Sequence, residues 1–398
     1  MKLFQSLLVA PAALGLMSPL AVSASEVNLN DISTYSDVDS IEFANSFGKV
    51  EANDNKLIAG GEGLVSGDSY DGGFSSTTTA SFSTDFYFGG VDGGTDATAD
   101  PFMLTYGFQI DLNTSFTGED SLDISLDAGN TSNTTTGVTE FDGNATADSV
   151  DVDGVSYTFP LGGATAFVAD NGAASALFTT ACTYGGPTNT LDDCGNVNAG
   201  PVSGGTAAGA SYDFGNGWAA AIGYQNVNGE EDQGILSEES TDTYALNGSY
   251  TGSNYGISVT YASIEDGAHD SATSANEDVE EEDTYIAFNA YYTPDVEGFP
   301  SVSVGYEVGD DGSLAEDEDI TSFFVGLQWD EMGPGSLGMA MGHSNTTENA
   351  DEEYMYEVYY SYPVNDSMTI TPVIYVQETN TAGQDDATGL LVKTSFSF

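Results

Sequence analysis

The residues most able to do chemistry in this sequence are acids that alternate with apolar residues along extended segments. The chain has 63 Asp and Glu but only 4 Lys and Arg among 398 residues, a formal net charge of −59. Successive side chains of a β-strand point to opposite faces, so these acids share one face and the apolar residues the other. A face that carries carboxylates across several strands attracts cations and repels anions. The residues on this face are Asp85, Asp111, Asp123, Asp127, Asp213, Glu307, Glu357 and Lys393.

The opposite faces of the same segments form apolar stripes without charge. One runs through alternate residues from Phe102 to Leu112, and another from Tyr354 to Tyr362. A charge at the midplane of a bilayer costs a few kcal/mol on the lipid face of a barrel, which explains charge-free stripes there. We therefore predict an all-β, transmembrane antiparallel β-barrel whose acids point into the lumen.

The spacing of these segments predicts about 16 strands, an even number as barrels of this class require. Short turns, expected on the periplasmic side, alternate with long acidic loops, expected on the extracellular side. Pro372 lies within one strand, where it must remove a ladder bond, and a bulge there is one way to absorb this loss. The segments around 155–170 are short, so the strand count is approximate. The predicted strands are centred on 77–88, 102–112, 121–128, 155–159, 164–170, 206–214, 217–227, 241–251, 254–264, 284–293, 301–309, 320–329, 336–344, 353–362, 368–377 and 387–398.

The two ends of the sequence predict export and closure. Residues 1–24 resemble a signal peptide, with Lys2 before an apolar stretch and small residues at the cleavage site. Residues 25–76 are then a periplasmic segment, and 77–398 form the barrel. Phe396 and Phe398 share one face of the final segment, which predicts a closing strand paired with the first and an assembly signal for the barrel-assembly machinery.

A long irregular stretch, residues 171–205, separates the fifth and sixth predicted strands. Cys182 and Cys194 lie within it, and in an exported protein they predict a disulfide. We expect the stretch to fold into the lumen and place Asp192 and Asp193 at a constriction. The alternative is an external lid in which the acids serve only solubility.

Other chemistry has weak support in the sequence. His343, near Ser344 and Asp351, is the sole candidate for a catalytic group, so we expect no enzyme. No specific metal site or cofactor is expected, although clustered acids of the outer loops would bind divalent cations diffusely. The acidity disfavours nucleic acid as a partner. A secreted acidic, divalent-cation-binding β-structural protein or adhesin is the alternative function.

Several segments of the chain resemble the cyanobacterial outer-membrane porins that are grouped with the carbohydrate-selective, OprB-type porins. The resemblance implies a homotrimeric channel in outer-membrane lipid for passive diffusion of small hydrophilic solutes, with carbohydrate transport as the family function. The sequence departs from that family because it lacks an intact S-layer-homology domain and contains no Arg. The segments that carry the resemblance are the leader MKLFQSLLVAPAALGL, QIDLNTSFTGEDSL at 109–122, NGWAAAIGY at 216–224, YYTPDVEGFPSVSVGYE at 291–307, FVGLQWDEMGPGSLGMAMG at 324–342, and YMYEVYYSYPVNDSMTITPVIYVQET running on to LLVKTSFSF.

Overall fold

In the computed structural model the chain forms a closed barrel of sixteen strands, each antiparallel to its neighbours. The prediction of a sixteen-strand antiparallel barrel is confirmed. The predicted leader 1–24 and segment 25–76 lie outside the described residues. The structure describes residues 77–93, 102–131, 138–141, 143–201, 204–227, 229, 234–237, 240–265, 282–310 and 319–398.

The strands follow one another around the barrel in chain order. The connections that the structure describes contain a 3-10 turn η1 (Val138–Phe141) and a short helix α1 (Asn189–Asp192). Neither of them, nor any other described helix, has the length and apolarity to span a membrane. The strands are β1 (Thr78–Asp92), β2 (Met103–Thr114), β3 (Ser121–Gly129), β4 (Asp151–Leu161), β5 (Ala164–Gly172), β6 (Gly205–Gly215), β7 (Trp218–Asn226), β8 (Asp242–Thr251), β9 (Tyr255–Glu265), β10 (Glu282–Tyr292), β11 (Ser301–Asp310), β12 (Asp319–Met332), β13 (Gly335–Thr347), β14 (Met355–Asn365), β15 (Met368–Gln377) and β16 (Ala387–Ser397).

The barrel closes through β1 and β16, which pair over ten residues from Ser83–Ser397 to Asp92–Thr388. Beyond this ladder, the main chains of Phe82 and Phe398 exchange two hydrogen bonds of 2.9 and 3.0 Å. Their rings stack with centroids 5.9 Å apart. Pairing of the first and last strands leaves neither as an open edge.

Side chains alternate between an exposed apolar outer face and a covered inner face. On β8, Tyr244 and Leu246 are exposed while Ala245 and Asn247 are buried. The same alternation on β2 exposes Leu104 and buries Thr105. An apolar outer surface suits the hydrocarbon of a bilayer, and the inner face is left for polar groups.

Two-residue turns and the long connection between β5 and β6 lie at opposite ends of the barrel. Two-residue turns at 162–163, 216–217, 333–334 and 366–367 all lie at one end, and the connection of 173–204 lies at the other. Gly162 and Gly217 adopt positive φ in such turns, a conformation that glycine reaches without a steric penalty.

Two doubts raised by the sequence are resolved by strand pairing. Strands β4 and β5 are 11 and 9 residues long and form a hairpin. The bulge suggested for Pro372 is not formed, because β15 keeps one register with β16 throughout. On the β14 side the ladder skips the pairs between Tyr359–Val373 and Tyr362–Ile370 without a register shift. The missing N–H of Pro372 therefore costs ladder bonds and does not distort the strand.

Candidate functional site

The segment 173–201, here called the inserted segment, lies inside the barrel. Its first half crosses the inner faces of β7, β8, β9 and β11 in turn, and at each step a main-chain amide donates a hydrogen bond to an inward side chain. A segment held in this way narrows the lumen from one side. The four bonds are Ala174 N to Gln225 Oε1 (2.9 Å), Thr179 N to Asn247 Oδ1 (3.1 Å), Ala181 N to Ser258 Oγ (2.9 Å) and Thr183 N to Ser303 Oγ (2.9 Å).

The second half of the inserted segment returns along β10 and β11. The carboxylate of Glu307 accepts hydrogen bonds from the main-chain amides of Asn198 and Ala199 at 2.9 and 2.8 Å, and from Asn198 Nδ2 at 2.8 Å. Asn289 Nδ2 donates to the carbonyl of Cys194 at 2.8 Å. A disulfide joins Cys182 to Cys194 and so ties the two halves together.

Small residues on the inner wall allow the inserted segment to lie against the strands. A Cβ at Gly305 would come within 1.7 Å of the carbonyl oxygen of Cys194, and one at Gly223 within 1.9 Å of that of Ala174. Glycine at an inward strand position is a signal of close backbone approach. This signal is present in the sequence, although it does not identify which backbone approaches.

A second segment also enters the lumen, which the sequence analysis missed. Phe141 of η1 packs on Tyr87 of β1 with ring centroids 5.4 Å apart. Glu140 accepts a hydrogen bond of 3.0 Å from Thr190 Oγ1, so the two segments meet inside the barrel. Burial raises the pKa of Glu140. No regular pattern in residues 130–150 distinguishes this segment from a surface loop.

The two segments and the wall enclose one hydrophobic cluster on the side of the lumen formed by β12 to β16 and β1. Part of the lumen on that side is therefore filled with apolar side chains. The buried members are Tyr87, Phe141, Tyr184, Leu191, Cys194, Phe324, Met355, Tyr359, Val373, Tyr375 and Leu391.

The predicted lysine of the lumen is paired with a predicted acid. Lys393 Nζ lies 3.2 Å from Asp85 Oδ2 and 5.7 Å from the centre of the Tyr87 ring. Within the described ranges Lys393 is the sole Lys or Arg, so the one base of the described lumen is already matched by a carboxylate.

Two further predicted acids belong to a polar strip on β2 and β3. Asp111 accepts hydrogen bonds from Gln109 Nε2 at 2.8 Å and from Ser125 Oγ at 2.7 Å. Asp123 accepts one of 2.7 Å from Ser121 Oγ. Beside this strip a cavity of about 370 Å³ lies between β3, β4, β5 and the start of the inserted segment.

The remaining predicted acids occupy separate places. Asp127 is half-buried on β3 opposite Asp151 of β4. Asp213 is exposed near the turn after β6, where it accepts a hydrogen bond of 2.7 Å from the amide of Gly215. Asp192 is exposed in α1 and Asp193 is half-buried at the end of that helix.

Glu307 and Glu357 differ from the expectation that they line open water. Both point inward as the alternation predicts, but they are 0% and 1% exposed because the inserted segment covers them. Glu357 accepts a hydrogen bond of 2.5 Å from Tyr184 Oη. Glu307 accepts its hydrogen bonds from Asn198 and Ala199 in the second half of the inserted segment. These two acids position the inserted segment; they are not part of the water-exposed surface. Alternation defines the face of a strand and gives no information about what covers it.

His343 does not form the arrangement that a catalytic group would need. Its Nδ1 lies 3.0 Å from Thr346 Oγ1, and its ring packs against Tyr354. Across the part of the chain that the structure describes, no three His, Cys, Asp or Glu side chains cluster closely enough to hold a metal ion.

Comparison with known proteins identifies the fold. No protein-family model matches the sequence. A comparison with curated proteins also gives no match. Among solved structures the barrel is similar to OprB of Pseudomonas putida, with a TM-score of 0.57 at 11% identity over 81% of this chain and 94% of that one.

Two other solved structures are similar to the same extent. An anion-selective porin from Comamonas acidovorans has a TM-score of 0.57 at 12% identity, over 81% of this chain and 99% of that chain. A trimer form of OmpT, an outer membrane protein of Vibrio cholerae, has a TM-score of 0.52 at 11% identity over 81% and 100%. At these identities the likeness establishes the barrel fold alone.

Proposed function

We propose that the protein is an outer-membrane porin, a passive diffusion channel for small hydrophilic solutes and inorganic ions. The barrel has an apolar exterior, a polar inner wall and a segment folded inward between β5 and β6. This arrangement favours a channel over an adhesin, which would not need a hydrocarbon-like outer surface. It also favours a channel over an enzyme, since His343 is bonded to Thr346 and packed among aromatic rings.

The proposed channel is cation-selective. The observation that carries this proposal is the pairing of Lys393 with Asp85, which leaves the other inner acids without a basic side chain in the described lumen. Carboxylates along a narrow path lower the energy of a cation there and raise that of an anion. The similar porin from Comamonas acidovorans is described as anion-selective, so the shared fold does not determine the sign of selectivity.

The proposal extends to surroundings and assembly. Outer-membrane lipid would contact the apolar face, the barrel-assembly machinery would engage the strand that holds Phe396 and Phe398, and a signal peptide at 1–24 would direct export. A homotrimer is supported by the family resemblance and by the trimeric OmpT structure. Carbohydrate transport rests on the resemblance alone.

Ion selectivity tests the proposal directly. We expect the purified protein in a planar bilayer, under a KCl gradient, to give a reversal potential that favours K⁺ over Cl⁻. The double variant D192N/D193N should weaken this preference if α1 borders the path, whereas D366N, at an exposed turn acid, should leave it unchanged. A reversal potential that favours Cl⁻, or no conductance at all, would refute the proposal.

Localisation separates the channel from the acidic adhesin. A barrel embedded in lipid should be released from membranes by detergent and withstand washing with salt or chelator. Release by chelator alone would favour the adhesin.

A further inference from the structure

Two acids inside the barrel meet where the inserted segment contacts the second inward segment. Glu357 projects from β14 and is 1% exposed, and Glu140 projects from η1. Both acids contact the same turn of the inserted segment, since Thr190 donates to Glu140 and Thr188, two residues earlier, faces Glu357. Glu357 is covered by the inserted segment and Glu140 is half-buried, so neither belongs to the exposed acids of the inner wall.

The oxygen atoms around this junction are incompletely satisfied. Tyr184 donates to Glu357 Oε1 and Thr190 Oγ1 donates to Glu140. Glu357 Oε2 and Thr188 Oγ1 are both buried without a hydrogen-bond partner. The Thr188 side chain faces the Glu357 carboxylate without forming a well-aligned hydrogen bond. Buried polar atoms without partners are uncommon in native proteins and often indicate an ion or a water.

Among the described residues, no unpaired basic side chain compensates the charge at the junction. The nearby buried side chains are apolar or phenolic and include Leu191, Phe324 and Tyr359. The one base in the described lumen, Lys393, is paired with Asp85. A buried carboxylate next to a half-buried one among apolar groups is costly unless a positive charge accompanies them.

From this geometry we infer that Glu140, Glu357 and Thr188 bind a hard divalent cation of the Ca²⁺ type that joins the two inward segments. Carboxylate and hydroxyl oxygens are the ligands that such ions prefer. A divalent ion neutralises both acids at once, whereas a shared proton neutralises only one. The bound ion would hold the Thr188–Thr190 part of the inserted segment against η1 and so fix the shape of the lumen.

Calcium binding to the full-length protein in detergent tests this inference. The chelator-treated protein is titrated with Ca²⁺ by calorimetry in about 0.5 M NaCl, where screening suppresses diffuse binding to exposed acids. We expect one saturable site per chain, and a rise of the melting temperature on saturation. E357Q and E140Q should each weaken binding at least tenfold, while E297Q, at an exposed acid, should bind as the wild type does.

Three outcomes would overturn the inference. Equal Ca²⁺ binding by the wild type and E357Q would leave only diffuse binding. Absence of any Ca²⁺ response, with E357Q as stable as the wild type or more so, would indicate a protonated acid. If E357Q does not fold, T188V replaces it. Unchanged Ca²⁺ binding by T188V and by E140Q, each compared with the wild type, would then mean that binding is only diffuse. These readouts do not depend on conductance, so the porin proposal stands or falls separately.

Discussion

At the scale of single residues, small or absent side chains on the inner wall determine where the inserted segment can lie. Gly223 and Gly305 leave room for the main chain of the inserted segment, and Glu307 supplies the acceptor that holds it. A barrel wall with larger inward residues at these positions would force the segment towards the middle of the lumen. The position of the inserted segment therefore depends on a few strand positions, and Gly305 contacts Cys194 directly after the predicted acids Asp192 and Asp193.

Substitution of Gly305 should displace the inserted segment. G305A puts a Cβ 1.7 Å from the carbonyl oxygen of Cys194, and overpacking of this kind costs about 1–3 kcal/mol. We expect a lower melting temperature and an altered single-channel conductance.

Gly248 provides the matched control for Gly305. It lies on β8, and no neighbouring atom comes within 4 Å of the position that an alanine methyl group would take there. G248A should therefore be as stable as the wild type or slightly more so. Identical melting temperatures and conductances for the two variants would mean that close approach at Gly305 does not constrain the segment.

Removal of the Glu307 carboxylate should loosen the return half of the inserted segment. E307A leaves the amides of Asn198 and Ala199 without their acceptor, at about 1–3 kcal/mol for each buried group. The expected result is a lower free energy of unfolding and faster proteolysis within 194–201. E297A, at an exposed turn acid, should change neither; equal proteolysis of the two variants would count against the anchoring role.

At the scale of elements, the strands and the inward direction of the 171–205 stretch were predictable from the sequence, whereas the contacts of that stretch and the second inward segment around η1 were not. The strands could be predicted because each has a two-residue period and one face towards lipid. The alternation along Phe102–Leu112 and the aromatic pair Phe396 and Phe398 both follow from these two properties. The fold of 173–201 depends on contacts more than 50 residues apart, such as Ala174 with Gln225, which no local pattern contains. For the same reason the inward direction of Glu307 was predictable and its burial was not.

Closure of β1 on β16 gives a prediction that separates main-chain pairing from side-chain recognition. Removal of Phe398 eliminates two hydrogen bonds with Phe82 and a ring contact, whereas F398A eliminates only the ring contact. Because unpaired backbone groups cost several kcal/mol in a bilayer, truncation should reduce refolding into lipid more than F398A does. The folded fraction is read from heat-modifiable migration on a gel.

The same variants report on assembly in cells. F398A that refolds in vitro but fails to reach the outer membrane would indicate that the ring is read by the assembly machinery. F299A, at an exposed phenylalanine of the 293–300 turn, serves as the control. Normal refolding of the truncated chain would show that the Phe82–Phe398 pair is dispensable for closure.

The turn between β2 and β3 should make stability depend on pH. Asp120 accepts hydrogen bonds from Tyr157 Oη and the Thr117 amide, both at 2.7 Å, and these bonds hold its pKa well below the usual range. A depressed pKa in the folded state stabilises the protein above the unfolded pKa of about 4, and this stabilisation is lost as the pH falls through the folded value.

The variant D120N should therefore have a lower melting temperature than the wild type at pH 7, and this difference should shrink as the pH falls below 4. Melting temperatures of the two proteins at pH 7 and below pH 4 check the sign of the effect. D366N, at an exposed turn acid, serves as the control and should melt as the wild type does at pH 7. A difference for D120N that grows on acidification would contradict the assigned cause.

At the scale of the whole molecule, the formal charge of −59 includes acids of the inner wall and acids of the long connections. The lumen acids Asp111 and Asp123 lie on the inner wall, and Asp123 lines the cavity beside it. The loop acids, including Glu230 to Asp232 and Glu316 to Asp319, lie largely outside the described residues. Both groups favour cations. Salt screens a charge beyond the Debye length, which is about 10 Å at 0.1 M and about 3 Å at 1 M, so added salt weakens the effect of distant charges more than that of charges close to the ion.

Cation preference should therefore fall with salt to a plateau above zero. In KCl gradients centred near 0.1 M, we expect both D111N/D123N and the loop variant E230Q/E231Q/D232N to lower the K⁺ preference. Near 1 M only D111N/D123N should do so, because the loop charges are then screened from the path while the wall charges remain in contact with it. Reversal potentials of the three proteins at both concentrations provide the measurement. If the loop variant alone changes selectivity at 1 M, the acids of the inner wall do not select the ion, and the constriction must lie among the outer loops.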